Sequence, residues 1–314
     1  MKKSNIDLVT VLGPTAAGKT IFAAHLASRI GGEIISADSR QVYRGMDLGT
    51  GKDYGDYMVE GNRVPVHLVD ILDAGYEYNV YLFKRDFQRV YADITDRNMM
   101  PVMCGGSGLY LESILRNYTL TEVPEDANLR GDLEKKDFRE LEGILKLYGP
   151  LHNVTDTVNR KRMIRAIEIA MHQSTLQEGA TEDRVLRPLI FGISFERLIR
   201  RKRITERLKQ RLEQGMVEEV RDLIKGGVSP HKMEYYGLEY RFVTNYIEQK
   251  ITYDEMFSKL NTAIHQFAKR QMTYFRGMER RGIKIHWFDG TLSLEEKLEH
   301  ARTLFEEARS GESS

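Results

Sequence analysis

Gly13-Pro14-Thr15-Ala16-Ala17-Gly18-Lys19-Thr20 is the stretch on which the reading of the fold turns. It follows an apolar run, Ile6 to Leu12, that reads as a buried strand, and it opens Thr20 to Arg29, whose apolar residues recur at helical spacing. A glycine-rich G-x-x-x-x-G-K-[ST] segment between a strand and a helix is the context in which successive backbone N–H groups turn inward on an anion at a helix N-terminus. Lys19 adds a point charge, and the Thr20 hydroxyl can ligate Mg²⁺. Phosphate binding through Gly13, Pro14, Thr15, Ala16, Ala17, Gly18, Lys19 and Thr20 is therefore expected. The loop alone does not say whose phosphates it holds.

Outward from this loop the pattern continues as alternating strands and helices. Glu33 to Ser36, Val64 to Ile71 and Met100 to Cys104 read as strands, with a helix from Tyr81 to Asn98 between the last two. From Glu125 to about Gln177 the strands stop, and two charged helical segments break near Gly149-Pro150. Leu189 to Ile193 is strand-like again, long helices run to about Arg281, and Ile283 to Phe288 reads as a last strand. The expected fold is α/β, a P-loop-type parallel sheet flanked by helices with a helical insertion. Residues 1–117 form the first part of the core, 118–187 the insertion, 188–290 the second part of the core with long basic helices, and 291–314 a C-terminal helix and tail, disordered from Arg309.

The chain has 314 residues, 41% hydrophobic and 30% charged, with a formal net charge of +1. That rules out a disordered chain. One cysteine, Cys104, excludes an internal disulfide framework and a zinc site of several thiolates, so the cytoplasm is expected. Cys104, at a strand end, reads as a small core residue. No stretch is long and apolar enough to span a bilayer, and a monomer is expected. The near-zero net charge hides a local stripe: Arg197 to Arg211 holds eight Lys or Arg and a single acid, Glu206. With a helical period Ile204, Leu208 and Leu212 share one face, while Arg203, Arg207 and Arg211 form the adjacent row. Such a row is either a solvated face or a set of nucleic-acid phosphate contacts. Phe267, Tyr274, Phe275 and Met278 are spaced as a core stripe, and His67 and His265 read as hydrogen-bonded structural residues.

Two carboxylates follow strands. Asp70 ends the run Val66-His67-Leu68-Val69, where it has either a metal role or a structural one. Asp38 lies just past the second strand, at the sheet edge where ligands bind in open parallel sheets. It either faces the bound phosphate or caps a turn.

The motifs Gly13 to Thr20, Ser36-Ala37-Asp38-Ser39-Arg40-Gln41-Val42-Tyr43-Arg44-Gly45-Met46-Asp47, Val66 to Asp73, Gly105-Gly106-Ser107-Gly108-Leu109-Tyr110, Arg162-Met163-Ile164-Arg165-Ala166-Ile167-Glu168 and Ala268 to Arg276 resemble, in order, those of the bacterial tRNA dimethylallyltransferases. Three places depart from that pattern: Ser107 stands for a usual Thr, Tyr274 for a usual Trp, and Tyr236-Gly237-Leu238-Glu239 for Gly-Tyr-Lys-Glu. The resemblance implies transfer of the dimethylallyl group of dimethylallyl diphosphate to the exocyclic amine of the tRNA adenine immediately 3′ of the anticodon. It implies Mg²⁺ as cofactor, held through Thr20. Asp38 matches the general base, with Ser107 and Lys19 as further catalytic groups, and Arg165 joins the loop on the diphosphate. The resemblance places tRNA contacts at Asp38, Ser39, Arg40, Gln41, Ser107, Arg130, Lys161, Arg162, Met163, Ile164 and Arg165, and the basic row adds Arg203 and Arg207. Three rival readings change part of this: transfer to free AMP, a P-loop kinase or NTPase, and a non-catalytic RNA-binding protein.

Overall fold

A computed structural model describes residues 6–148, 159–175 and 185–310. The chain divides into two compact units, residues 1–118 with 185–314, and residues 119–184. The break expected near Gly149-Pro150, the helix end near Gln177 and the tail beyond Ser310 lie outside the described residues.

The first unit is built on a six-stranded sheet. In chain order its strands are β1 (Leu8–Leu12), β2 (Gly32–Ser36), β5 (Val66–His67), β6 (Met100–Gly105), β7 (Pro188–Ser194) and β8 (His286–Asp289), while β3 (Met58–Val59) and β4 (Asn62–Arg63) pair apart as a small antiparallel hairpin. The spatial order is β5-β2-β6-β1-β7-β8, and every pairing within it is parallel. A parallel sheet needs helical crossovers and is covered on both faces, so its central strands read as continuous apolar runs. β1 is buried along its whole length, with Leu8 and Leu12 in one apolar cluster and Val9 and Val11 in the other, as a period of two requires.

Helices cover the faces: α1 (Lys19–Ile30), α2 (Val80–Asp96), α3 (Gly108–Leu115), α7 (Arg197–Glu213), α8 (Met216–Lys225), α9 (Pro230–Met233), α10 (Leu238–Ile247), α11 (Tyr253–Arg280) and α12 (Leu294–Ser310). α12 runs through Arg309 and Ser310, where a tail was expected. The strand expected over Val64 to Ile71 shortens to Val66–His67, because Leu68 and Asp70 adopt positive φ (62° and 54°) and turn the chain out of the sheet. Among the described residues no helix is long and apolar enough to cross a membrane.

The second unit holds α4 (Ala127–Glu134), α5 (Phe138–Leu147) and α6 (Arg160–Thr175). Between α4 and α5 lies a break the sequence reading passed over, fixed by a capping box in which Asp137 accepts from the Glu140 N–H and Glu140 accepts from the Asp137 N–H. Its core is a small apolar cluster that includes Leu133, Leu141, Met163, Ile164 and Ile167.

Next to the edge strand β5, Glu33 of β2 is buried and accepts from Arg97, at 2.9 Å for one of the two bonds, and pairs with His67 Nε2 at 2.7 Å. The Arg97 hydrogen bonds hold its carboxyl at about 2, against an ordinary 4.5. A carboxyl depressed on folding stabilises the fold above its unfolded value and loses that contribution as pH falls toward the folded one. Between pH 4.5 and about 2 the wild type should therefore lose on the order of 2–3 kcal/mol that Glu33→Gln does not lose. Urea denaturation at a series of acidic pH values checks this, and parallel stability curves for the two proteins would refute it.

Candidate active site

Three loops far apart in the sequence leave three adjacent strands at one edge of the sheet. The phosphate loop follows β1, Ala37 to Gln41 follows β2, and Gly105 to Gly108 follows β6. They converge on a cleft of about 840 Å³ lined by, among others, Thr15, Lys19, Thr20, Asp38, Ser107 and Gln271. The approach is close: a Cβ on Gly105 would stand 2.2 Å from the Ala37 carbonyl oxygen, so only glycine fits there.

The phosphate loop turns through left-handed backbone at Ala16 (φ 61°) and Gly18 (φ 74°), and Gly18 stands at the N-cap of α1. Gln271, buried on α11, joins the loops: its Oε1 accepts from the Thr15 N–H at 2.9 Å and its Nε2 donates to the Gly106 carbonyl at 2.9 Å. The sequence reading passed over this residue. Its signal was a polar amide within the apolar register Ile264, Ala268, Met272, Phe275 of α11. On the neighbouring face of α11, Phe267 lines the cleft, which corrects its assignment to the core stripe; Tyr274 also borders the cleft but packs, half-buried, against the core as expected, and Phe275 and Met278 are fully buried. Phe267 is 40% exposed because it falls off the buried register by one position. The Tyr274 ring packs on Gly108, and its hydroxyl donates to Glu112 at 2.7 Å.

Asp38 is half-buried, and its Oδ1 accepts from the Arg40 N–H at 2.9 Å. This is a turn cap, and it occupies one oxygen. The other has no hydrogen-bond partner among the described residues, so the capping and cleft-facing readings are compatible. The Ser107 hydroxyl accepts from the Ser39 N–H at 3.2 Å and reaches the Ser39 hydroxyl at 3.4 Å, tying the second loop to the third. The Arg40 guanidinium stacks over Tyr235 at 4.9 Å, and the Gln41 amide donates to the Gly51 carbonyl at 3.3 Å.

Burial in the cleft pulls the Lys19 ammonium below the usual lysine range, with Arg207 and Arg211 adding to the effect and Cys104 and Asp38 opposing it. In the basic row of α7, Arg203 is exposed and Arg207 and Arg211 are half-buried, and the first two bond to the phosphate loop. Arg203 Nε donates to the Ala16 carbonyl at 3.1 Å and its guanidinium lies over Phe195 at 4.4 Å, while Arg207 donates to the Thr15 hydroxyl. Arg203 and Arg207, read from the sequence as tRNA phosphate contacts, thus sit against the phosphate loop, because the helix buries Ile204, Leu208 and Leu212 and turns the adjacent row into the cleft. Burial and then the neighbouring Arg211 depress Arg207, to about 9. Carboxylates stand among these cations: Asp56, raised to about 6 chiefly by burial, and Glu239, also raised by burial.

Other expected residues have partners of their own. Asp70 accepts from Lys52 and from the Tyr54 hydroxyl, one oxygen to each, which favours its structural reading over a metal role. Lys52 is the reason, since its fully buried ammonium requires carboxylates and is shared by Asp47 at 2.6 Å. In the second unit Met163 and Ile164 are core residues, 1% and 4% exposed, and are corrected from tRNA contacts; the apolar side of α6 buries them. Lys161 and Arg162 are exposed. Arg165 pairs with Glu168 and donates to the Val123 carbonyl at 2.8 Å, and Arg130 pairs with Glu168 and with Glu125, both at 2.8 Å. His67 and His265 are hydrogen-bonded, His265 to Thr205 and the Arg201 carbonyl. Cys104 is buried, and desolvation pushes its thiol up to about 12, so it carries no thiolate near neutral pH.

For Mg²⁺ the cleft supplies the Thr20 hydroxyl at the first turn of α1, and among the described residues no group of three acids, histidines or cysteines is placed to cage a metal. That donor set fits Mg²⁺, which keeps several waters and takes most other oxygens from substrate phosphates rather than from a protein cage.

The sequence matches the family described as IPP transferase over residues 41–278. It is 54% identical to tRNA dimethylallyltransferase 2 of Bacteroides fragilis, over 98% of this chain and 100% of the relative. It is 52% identical to tRNA dimethylallyltransferase 1 of Parabacteroides distasonis, over 93% and 95% of the two chains. Its fold superposes on the full-length tRNA isopentenylpyrophosphate transferase of Bacillus halodurans with a TM-score of 0.71 at 29% identity, covering 97% of this chain and 98% of that one.

Removing the Gln271 amide leaves the Thr15 N–H and the Gly106 carbonyl without a partner. Gln271→Ala should therefore lower stability by about 1–3 kcal/mol and weaken the binding of inorganic diphosphate. Chemical denaturation together with calorimetric titration measures both, and wild-type values for both would show that the amide does not hold the loops.

Proposed function

The chain belongs to the IPP transferase family, and from that premise we infer that it transfers the dimethylallyl group of dimethylallyl diphosphate to the exocyclic amine of the tRNA adenine 3′ of the anticodon. The observation that carries this reading is that a phosphate loop and a carboxylate with an unoccupied oxygen, Asp38, share one cleft. A phosphate loop alone would serve any nucleotide. The carboxylate beside it supplies what attack by an amine requires.

The reaction follows from these positions. The adenine amine attacks the first carbon of the donor, the carbon–oxygen bond breaks, and the electron pair leaves on the diphosphate. Charge grows on the leaving oxygens, and donors already fixed in place stabilise it without reorganising. The loop amides, Lys19, Arg203 and Arg207 surround that position. The Thr20 hydroxyl would hold Mg²⁺, which when bound would supply further neutralisation of the same charge. As the new bond forms the amine becomes acidic, and Asp38 accepts its proton. Ser107, tied to Ser39, helps seat the target nucleotide beside Asp38. An adenine stacked in an anticodon loop cannot reach the cleft, so the base is extruded, and Phe267 and Tyr274 offer rings at the cleft wall. The exposed Lys161 and Arg162 serve the RNA backbone. Arg165 and Arg130 are held in place by Glu168, which fixes α6. The enzyme acts in the cytosol on these two substrates.

Incubation with labelled dimethylallyl diphosphate and tRNA should give labelled tRNA, while the same donor with AMP, and ATP alone, should give no product. Turnover of ATP or labelling of AMP in preference to tRNA would overturn the reading. Lys19→Ala should abolish transfer with the fold intact. Asp38→Asn keeps the turn cap and removes the base, so the single-turnover rate should fall on the order of 10² to 10⁴-fold at an unchanged melting temperature. Transfer at the wild-type rate would send the proton elsewhere, the departing diphosphate being the nearest acceptor.

A further inference from the structure

Arg203 and Arg207 reach the phosphate loop, but the third member of the row, Arg211, does not. Its guanidinium lies against Gly51, so closely that a Cβ on residue 51 would stand 2.3 Å from Nη2 and 2.9 Å from Cζ. Gly51 has φ +74°, and the absence of a side chain there leaves the guanidinium its place in the cleft wall. Among the described residues no hydrogen bond or ion pair takes this guanidinium, whereas Arg203 and Arg207 are bonded to Ala16 and Thr15. It is half-buried, unlike the exposed Lys202 and Lys209 of the same helix.

We propose that Arg211 is a further catalytic residue that binds the diphosphate of the donor, in addition to the loop amides and Lys19. The proposal rests on the reading that this cleft holds a prenyl diphosphate. Burial depresses Arg211, Glu239 and Tyr240 acting against it, and the Lys19 ammonium responds to Arg211 as well as to Arg207. The guanidinium is therefore within electrostatic reach of the group that the phosphate loop exists to present. A planar guanidinium offers paired donors to two phosphate oxygens, and in a desolvated cleft such a bond is stronger than at the rim, where an RNA backbone is met by solvated lysines. Diphosphate carries more charge after the carbon–oxygen bond breaks than before, so the contact strengthens as the reaction proceeds.

The test compares wild type, Arg211→Met, Arg211→Lys and Gly51→Ala in three measurements: calorimetric binding of inorganic diphosphate with Mg²⁺, single-turnover transfer, and the salt dependence of tRNA affinity. Arg211→Met should weaken diphosphate on the order of 10- to 100-fold and slow transfer, with the tRNA salt slope unchanged. Arg211→Lys should recover part of the affinity, since it keeps the charge but not the fork. Gly51→Ala should weaken diphosphate in the wild-type background and not in the Arg211→Met background. Unchanged diphosphate affinity in a folded Arg211→Met protein overturns the proposal. So does a tRNA salt slope reduced by about 0.7 to 0.9 at constant diphosphate affinity, which would assign the guanidinium to an RNA phosphate. If the wild type binds diphosphate yet transfers nothing to tRNA, the functional reading fails while the Arg211 comparison still stands or falls on the titration.

Discussion

Like charges held together in a desolvated cleft are the constraint around which the first unit is arranged. Lys19, Arg207 and Arg211 are each depressed by burial, and each arginine also lowers the lysine. Such a set keeps its geometry only if the helices that carry it are anchored elsewhere. α7 is held by Ile204, Leu208 and Leu212 in the main apolar cluster, and α1 by Phe22, Ala23, Ala24, Leu26 and Ala27 in the other. Asp38, Asp56 and Glu239 offset part of the repulsion while leaving the cations available to an anion. Such a cleft is complementary in charge to a multiply charged phosphate, and donors fixed in this way need no rearrangement to meet developing negative charge.

The segment from Asp38 to Lys52 must keep its shape beside that cleft, and two charges, the buried Lys52 and the half-buried Glu219, see to it. The Lys52 ammonium bonds to the Tyr43 carbonyl at 2.9 Å and to Asp47 and Asp70. The Glu219 carboxylate accepts from the N–H groups of Asp47, Leu48 and Gly49 at 2.7–3.1 Å, and from the Tyr240 hydroxyl at 2.8 Å. Three successive amides on one carboxylate form an anion-binding concavity made of backbone. Removing either charge would leave the other groups of its network buried and unpaired, which is costly. Asp38 at one end of the segment and Gly51 near the other therefore owe their positions to residues that do not line the reacting centre.

In the second unit a single buried carboxylate has the corresponding task. Glu168 accepts from the Asp126 N–H at 2.7 Å and pairs with Arg130 and Arg165, so the start of α4 and the middle of α6 are fixed to one point. Met163, Ile164 and Ile167 fill the core beneath. Along Arg162 to Glu168 the residues alternate between core, ion pair and solvent, and Arg162, with Lys161 just before it, is on the solvent side.

How much could be read without coordinates follows from the range of each interaction. The strand, loop and helix around Gly13 to Thr20 were legible because local geometry alone dictates where glycines and a lysine must stand to cradle phosphate. The core face of α7 was legible because the helical repeat fixes which side chains share a face. Direction was not: periodicity shows that Arg203, Arg207 and Arg211 share a row, but only packing decides that the row lines the cleft. The same limit hid Gln271, whose partners are more than 160 residues away, misplaced Phe267, and left Asp70 undecided until Lys52 was seen to occupy it. Met163 and Ile164 were carried into the RNA contacts by their place in a motif, although their chemistry suits a core. The sequence by itself determined the phosphate loop and the sheet class, because those depend on residues close in the chain. The tertiary structure alone decided which distant groups surround the phosphate loop, because charges, amides and rings from five separate segments meet only when the parallel sheet brings β2, β6 and β1 side by side and α7 and α11 pack against it.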